Sequence, residues 1–303
     1  MEIKNFKIEA EFSGMRIDKY LTFTLEENSR SYIQNLINKE FIRVNNKIVK
    51  SNYKLKESDS IEVNIPDPEV LKVIPQNIPL DILYEDSDVI VINKPQGMVV
   101  HPAPGNKDNT LVNALLYHCK DLSGINGIMS PGIVHRIDKD TSGVLVVARN
   151  DKALGLLAEQ FKNHSMTREY LALVEGRIQK DEGTIDAPLG RNPKDRLKFA
   201  VVKEGKKAIT HYKVAERFNS YTLVSCRLET GRTHQIRVHM AYIGHPLVGD
   251  PLYGYKKQKF SAEGQLLHAR LLGFIHPIKN VYMEFASPIP DYFIDILNKL
   301  RQH

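Results

Sequence analysis

Apolar residues in this chain recur first at helical spacing, then at strand spacing, and finally in unbroken runs. Ile17, Tyr20, Leu21 and Leu25 stand three or four apart, the period of a helix burying one face. Ser29 precedes a second such face, Ile33, Leu36 and Ile37, where it can serve as an N-cap. FIRV and IEVNI follow as strands, with Asn45 and Asn46 at a turn between them, a place where asparagine tolerates the backbone required. Residues 66–79 then carry Pro66, Pro68, Pro75 and Pro79, and proline blocks helix and central strand alike. The expected organisation is a small domain over 1–65, a proline-rich linker over 66–80 and a large domain over 81–303.

In the large domain DVIVINKP reads as a strand entering a turn, and TLVNALLYHC from Thr110 as an amphipathic helix. DKALGLLAEQFKN from Asp151 reads as another helix, and DYFIDILNKL closes the chain as a third. EYLALVEG, YTLVSCRLE and the QIRVHM stretch read as strands. Helices and strands are interspersed without regular βαβ repetition, which argues an α+β fold with a mixed sheet rather than a doubly wound one. There is no internal repeat, no GxGxxG and no P-loop, so no nucleotide cofactor is expected.

Composition narrows the class. A net charge of +6 and a pI near 9.0 suit an anionic partner. Cys119 and Cys226 are far apart and in no CxxC pair, so a structural zinc site is not expected and they read as small buried hydrophobes in a reducing compartment. The first twenty residues have no unbroken apolar core, and nothing approaches the ~20 apolar residues of a membrane span. The expectation is a cytoplasmic protein without a metal, a membrane contact or a small-molecule cofactor.

The stretch HRIDKDTSG, from His135 to Gly143, sets Asp138 beside Arg136 and Lys139. The apolar runs GIVHRI and GVLVVAR flank it and read as two buried strands. A carboxylate held there beside cations is a candidate catalytic group. The stretch closely resembles the signature of the pseudouridine synthases that act on large-subunit ribosomal RNA, with Ile137 where Leu is usual. LETGRTHQIRVH, from Leu228 to His239, resembles a further signature of that family, and TREYLALVEG, from Thr167, another. The resemblance implies a mixed, largely antiparallel catalytic sheet and conversion of uridine to pseudouridine. It implies that Asp138 is the nucleophile, that Arg237 pairs with it, and that Tyr170 stacks on the target base. A nucleophilic carboxylate must stay ionised in a water-poor pocket, and a neighbouring cation offsets burial. Such a pair at 4 Å is worth about 4 kcal/mol at an effective dielectric near 20, before desolvation.

About 50 N-terminal residues, including GMRIDKYL, SRSYIQNLI, VNNKIV and DSIEV, resemble the alpha-L RNA-binding fold. Residues 39–56 carry six basic residues against Glu40 alone, and Lys39, Arg43, Lys47 and Lys50 are expected to contact RNA phosphates. Residues 191–213 hold eight basic and two acidic residues. Gly190, Pro193 and Gly205 suggest loops or a hairpin that clamps RNA through Arg191, Arg196, Lys198, Lys206 and Lys207. Arg136 is expected to help extrude the base or grip the backbone, and Arg232 to touch RNA or brace its loop. NKPQGMVVHPAPGN, from Asn93, resembles the family's first signature and is expected to shape the pocket wall, with His101 structural. His234 and His239 have no nearby acid or cysteine in sequence, so no metal is expected there. GHPLVGDPLYG, from Gly244, is read as setting backbone shape rather than chemistry.

The wording of HPAPGN and GIVHRIDKDTSG most resembles the subgroup modifying a helix-loop near the ribosome's decoding interface. The partner implied is large-subunit ribosomal RNA or a pre-ribosomal particle, met by a monomer. Two alternatives stand beside it: a transfer-RNA pseudouridine synthase on the same scaffold, and a non-catalytic RNA-binding assembly factor.

Overall fold

Local chemistry sets the first unit. The structure, a computed structural model, describes residues 2–25, 29–66, 73–102, 105–119, 122, 131–195, 197–260 and 262–302. Part of the proline-rich stretch, residues 67–72, and the basic residue Arg196 lie outside the described residues. The chain separates into two compact units, Met1–Leu71 and Lys72–His303.

In the first unit, β1 (Glu2–Lys7), β2 (Ile42–Val44), β3 (Lys47–Ile48) and β4 (Ser60–Ile65) form an antiparallel sheet in the order β1-β4-β2-β3. Asn45 and Asn46 join β2 to β3 with φ of 49° and 64°, the left-handed pair that a two-residue hairpin needs. Helix α1 (Ile17–Thr24) and helix α2 (Arg30–Asn38) lie on the sheet. Ser29 caps α2 by accepting the Tyr32 N–H at 3.3 Å. Ile17, Tyr20, Leu21, Ile33, Leu36 and Ile37 pack with Ile42, Val44, Ile61 and Val63 in one core. β1 and β3 had no counterpart in the sequence reading, being a charged edge and a two-residue strand.

The second unit is built on one nine-stranded sheet. Its strands are β5 (Ile82–Glu85), β6 (Val89–Lys94), β7 (Ser142–Ala148), β8 (Thr167–Glu175), β9 (Glu182–Asp186), β12 (Ile209–Arg217), β13 (Tyr221–Leu228), β14 (Leu267–Ile275) and β15 (Tyr282–Ala286). The order is β5-β6-β7-β14-β8-β13-β12-β9, with β15 beside β14. Every pairing is antiparallel except β7 with β14. A separate hairpin joins β10 (Leu189–Arg191) and β11 (Phe199–Val201). The fold is thus α+β with a mixed, largely antiparallel sheet. No helix among the described residues is long and apolar enough to cross a membrane.

Both faces of the sheet are covered, which explains the unbroken apolar run of β7. Leu145 and Val147 pack with helix α3 (Leu111–His118), whereas Val144, Val146 and Ala148 pack with helix α4 (Asp151–Lys162). Thr110 opens α3 with a capping box: its hydroxyl accepts the Asn113 N–H at 3.3 Å, and its own N–H donates to Asn113 Oδ1 at 3.0 Å. β8 divides in the same way. Leu171 and Leu173 face helix α6 (Asp291–Arg301), while Tyr170, Ala172 and Val174 face helix α5 (Gln235–Tyr242).

Two expected strands are corrected here. QIRVHM is not a strand but the start of α5. Apolar Ile236, Val238 and Met240 alternate with polar residues, which mimics a half-buried strand. The polar ones are buried too, because each finds an internal partner. Gln235 Nε2 donates to the Ile209 carbonyl and the Thr210 hydroxyl, Arg237 meets two carboxylates, and His239 bonds Thr210 and the Ala187 carbonyl. The run GIVHRI is also not a strand; only Ile133 bridges to Val147. There the His135 side chain takes the place of a backbone acceptor, and its Nε2 receives the Val146 N–H at 3.0 Å.

Candidate active site

Asp138 sits in the turn that feeds β7. Its carbonyl accepts the Thr141 N–H at 3.1 Å. Two residues beyond Thr141, Gly143 has φ of 115°, and a side chain there would run into the Ala269 carbonyl of β14. Only glycine allows this approach, so the residue after Ser142 decides how tightly the turn is drawn to the sheet.

The other side of the turn is held by Lys94, which is fully buried. Its ammonium donates to the carbonyls of Pro95, Met98 and Lys139 at 2.7, 2.9 and 3.0 Å. Burial pushes its pKa down to about 7, against the pull of Asp140 and Asp138. The Gly97 N–H also donates to the Lys139 carbonyl at 3.0 Å. Lys94 thereby ties the NKPQGM segment to the residue following Asp138.

Arg237 comes from the first turn of α5 and is 4% exposed. Its Nε and Nη2 donate to Asp250 Oδ2 and Oδ1 at 2.7 and 2.9 Å, and its Nη1 donates to Asp138 Oδ2 at 2.8 Å. Burial opposes the charge on Arg237, but Asp250 and then Asp138 outweigh it and hold the guanidinium above its ordinary pKa. Asp250 is buried and also accepts the N–H groups of Leu252 and Tyr253 at 2.8 and 3.0 Å. Of the two carboxylates on Arg237, only that of Asp138 reaches the surface, its side chain being 20% exposed against 0% for Asp250.

Aromatic groups surround this ion triad. The Tyr253 ring lies 5.2 Å from the Arg237 guanidinium, and its hydroxyl is 2.9 Å from His234 Nδ1. His234 adopts φ of 57° ahead of α5, and its Nε2 is 3.9 Å from Asp138 Oδ1. Burial lowers the His234 pKa, with Asp138 acting against it and Arg237 adding to it. Tyr170 forms another wall of the pocket that Asp138, Arg237, Arg136, Arg232 and Ile236 line. Burial raises the Tyr170 pKa, so the phenol keeps its proton.

Asp138, Tyr170 and Arg237 therefore meet in one pocket, although they stand on three distant segments. Arg136 is exposed at its edge. Arg232 lines it and ties its own loop to the segment before β12 by donating Nε to the Lys207 carbonyl at 2.9 Å. Within residues 191–213, the β10–β11 hairpin borders the site: Phe199 makes an edge contact with His234 at 5.7 Å, and its N–H donates to the Tyr253 hydroxyl at 2.9 Å. Arg191 lies 4.4 Å over the Phe199 ring, Lys198 is half-buried, and Lys206 and Lys207 are exposed. Lys39, Arg43, Lys47 and Lys50 are exposed on the first unit.

Four contributors were not assigned roles from sequence. Asp250 lies in GHPLVGDPLYG, where an acid between glycine and proline looks like a turn residue. Tyr253 follows in the same segment. In sequence His234 suggests only a metal ligand, and Lys94 only part of a pocket wall. Chemically, the arrangement presents an ionisable carboxylate, anchored on a buried cation, to a pocket with an aromatic wall. Such a group can act as a nucleophile.

The family model described as RNA pseudouridylate synthase matches residues 88–242, and the model described as S4 domain matches residues 15–61. The chain is 54% identical over 288 residues to an uncharacterised RNA pseudouridine synthase of Bacillus subtilis (strain 168), covering 95% of each chain. It is 47% identical over 302 residues to ribosomal large subunit pseudouridine synthase D of Zymomonas mobilis subsp. mobilis, covering 96% of this chain and 95% of that one. The protein of the same description from Escherichia coli O6:H1 is 42% identical over 301 residues, covering 95% and 91%. Among solved structures, human RNA pseudouridylate synthase domain containing 1 aligns with a TM-score of 0.58 at 27% identity, covering 78% of this chain and 98% of that one.

Proposed function

The chain belongs to the RNA pseudouridylate synthase family, and on that premise we propose that it isomerises uridine in large-subunit ribosomal RNA with Asp138 as nucleophile. The observation that carries the reading is the 2.8 Å bond from Arg237 Nη1 to Asp138 Oδ2, made by a guanidinium that Asp250 fixes from behind. The choice of ribosomal RNA rests on the descriptions of the Zymomonas and Escherichia relatives.

The reaction breaks the bond from ribose C1′ to uracil N1 and makes one from C1′ to C5. The C5 hydrogen leaves as a proton, and N1 ends protonated, so nothing is oxidised or hydrolysed. Asp138 attacks the substrate as the carboxylate, and the bond so formed is broken again, releasing the carboxylate, within the same isomerisation. Arg237 fixes the direction of that carboxylate through the Nη1 bond, and a hydrogen bond to a charged group of this kind contributes about 1.5–3 kcal/mol. Tyr170 offers a flat face to a base drawn out of the RNA stack. Base stacking of this sort is worth about 1–3 kcal/mol, enough to offset much of the few kcal/mol that extrusion costs. Arg136 and Arg232 hold RNA at the pocket edge. Residues 1–65 act as an RNA-binding domain in which Lys39, Arg43, Lys47 and Lys50 meet phosphates, and Arg191, Lys198, Lys206 and Lys207 add a basic border beside the site.

The test is to map pseudouridines in ribosomal and transfer RNA from cells lacking the gene, then from cells restored with wild type or Asp138→Asn. Sites in large-subunit ribosomal RNA should vanish and return only with wild type. Loss confined to transfer RNA would move the substrate, and restoration by Asp138→Asn would sink the nucleophile.

A further inference from the structure

A second cavity, of about 480 Å³, adjoins the pocket of Asp138 and shares Tyr170, Arg136 and Arg232 with it. That volume lies within the usual range for ligand sites, about 300–1,000 Å³. Its remaining polar lining comes from His135, Lys162 at the end of α4, His164 just beyond, and Arg168 on β8. Among the described residues four cations therefore border it, and no carboxylate does. The nearby acid Glu229 is engaged by His211 at 2.7 Å.

Arg168 is the unusual member. It is 8% exposed, and among the described residues no carboxylate lines the cavity beside it. Its Nη2 donates to the carbonyls of Leu228 and Glu229 at 3.4 and 3.2 Å, and its guanidinium lies 5.9 Å from the Phe161 ring centroid. Its buried Nε has no hydrogen-bond partner among the described residues. Gly231 makes room for it: a Cβ there would stand 2.5 Å from Arg168 Nη1. Burying a charge without a counter-ion is costly. A cavity that arranges this beside three further cations suits an anion.

The geometry points to a phosphate-binding subsite here, in which Lys162, His164, Arg168, Arg136 and Arg232 hold a backbone phosphate of the RNA next to the nucleotide whose base lies against Tyr170. This rests on the reading of RNA as substrate. Arginine and lysine recognise phosphate by charge-assisted hydrogen bonds. The field of the cavity is already felt by its histidines: burial first, and then Arg168, lowers the pKa of both His135 and His164. A phosphate fixed one linkage from the target would set the register at which a base enters the adjoining pocket.

The test uses the full-length protein and ribosomal RNA tritiated at uridine C5, isolated from cells lacking the gene. Lys162 and His164 are exposed, so the double variant Lys162→Gln/His164→Gln should fold. Binding is measured against KCl concentration, and tritium release is measured in parallel. The variant should bind about tenfold more weakly at low salt, and its plot of log affinity against log salt should flatten by about 0.7 for the lost phosphate contact. Lys162→Arg should retain the wild-type slope. Lys152→Gln, ten residues earlier and about 15 Å along the same helix, should leave affinity and slope unchanged. Equal effects from Lys152→Gln and the double variant, or an unchanged slope in the double variant, would overturn the subsite. Absence of tritium release by wild type would defeat the proposed reaction instead, while the binding series still decides the subsite.

Discussion

Asp250 holds Arg237 with both carboxylate oxygens, at 2.7 Å to Nε and 2.9 Å to Nη2, and so leaves the Nη1 edge for Asp138. A planar guanidinium engaged on one side in this bidentate way has its other edge fixed in direction. Asp250 thus positions the reactive carboxylate without reaching it. Asp250→Asn should lower kcat by about 10²-fold, the scale of a lost preorganising contact, while KM for RNA changes little. Asp250→Ala should also destabilise the second unit by roughly 3–5 kcal/mol, because it strands a buried cation. Arg237→Lys should not rescue, since one ammonium cannot span two carboxylates. Single-turnover kinetics and denaturant unfolding separate these effects; wild-type kcat in Asp250→Asn would show that Asp250 does not position the reactive carboxylate.

Asp138→Asn should retain the shape of the turn and RNA affinity within a few-fold. Its rate of pseudouridine formation should fall by at least about 10⁴-fold, as for removal of other catalytic carboxylates and nucleophiles. Tritium release under single-turnover conditions measures the rate, and filter binding measures the affinity. A drop in binding equal to the drop in rate would make Asp138 a binding residue.

Tyr170→Phe should keep RNA affinity within about threefold, because the ring and its stacking face remain. Tyr170→Ala should lose about 1–3 kcal/mol of binding. Equilibrium binding to ribosomal RNA from cells lacking the gene reads both. If Tyr170→Phe binds as weakly as Tyr170→Ala, the hydroxyl rather than the ring makes the contact.

His135 supplies a pH signature in the second unit. It stacks on Phe161 at 4.4 Å and accepts the Val146 N–H, which requires a neutral ring. Burial, helped by Arg168, pushes its pKa down to about 3. In the unfolded chain it titrates near 6.5. The unfolded state therefore binds the extra proton between these values, and the His135 contribution to stability, present above pH ~6.5, is lost as pH falls toward 3. The slope should not exceed about 1.4 kcal/mol per pH unit. Hydrogen exchange of the β7 amides between pH 7 and 5 should show the loss. His135→Phe should remove this slope and cost about 1–3 kcal/mol at pH 7, because the Val146 N–H is left without its acceptor. An identical pH slope in His135→Phe would assign it to another group.

What could be read along the chain was what nearest neighbours decide. Ser29 and Thr110 cap helices through N–H groups three residues away, and Asn45 with Asn46 reverses the chain within two residues. The continuous apolar run of β7 declares a strand covered on both faces, and the motifs around Asp138, Tyr170 and Arg237 declare a shared chemistry. Tertiary structure decided where buried polar groups find partners. QIRVHM alternates like a strand, yet it coils because Gln235, Arg237 and His239 are satisfied by Thr210, Asp250 and Ala187 from elsewhere in the chain. GIVHRI leaves the sheet pattern because a histidine ring accepts the Val146 N–H. Asp250 reads as a turn residue until Arg237 is brought against it. Helix and strand periods follow from local geometry, whereas an ion pair across 99 residues of sequence, Arg237 with Asp138, exists only once the sheet has brought its segments together and excluded the water that would otherwise satisfy each charge alone.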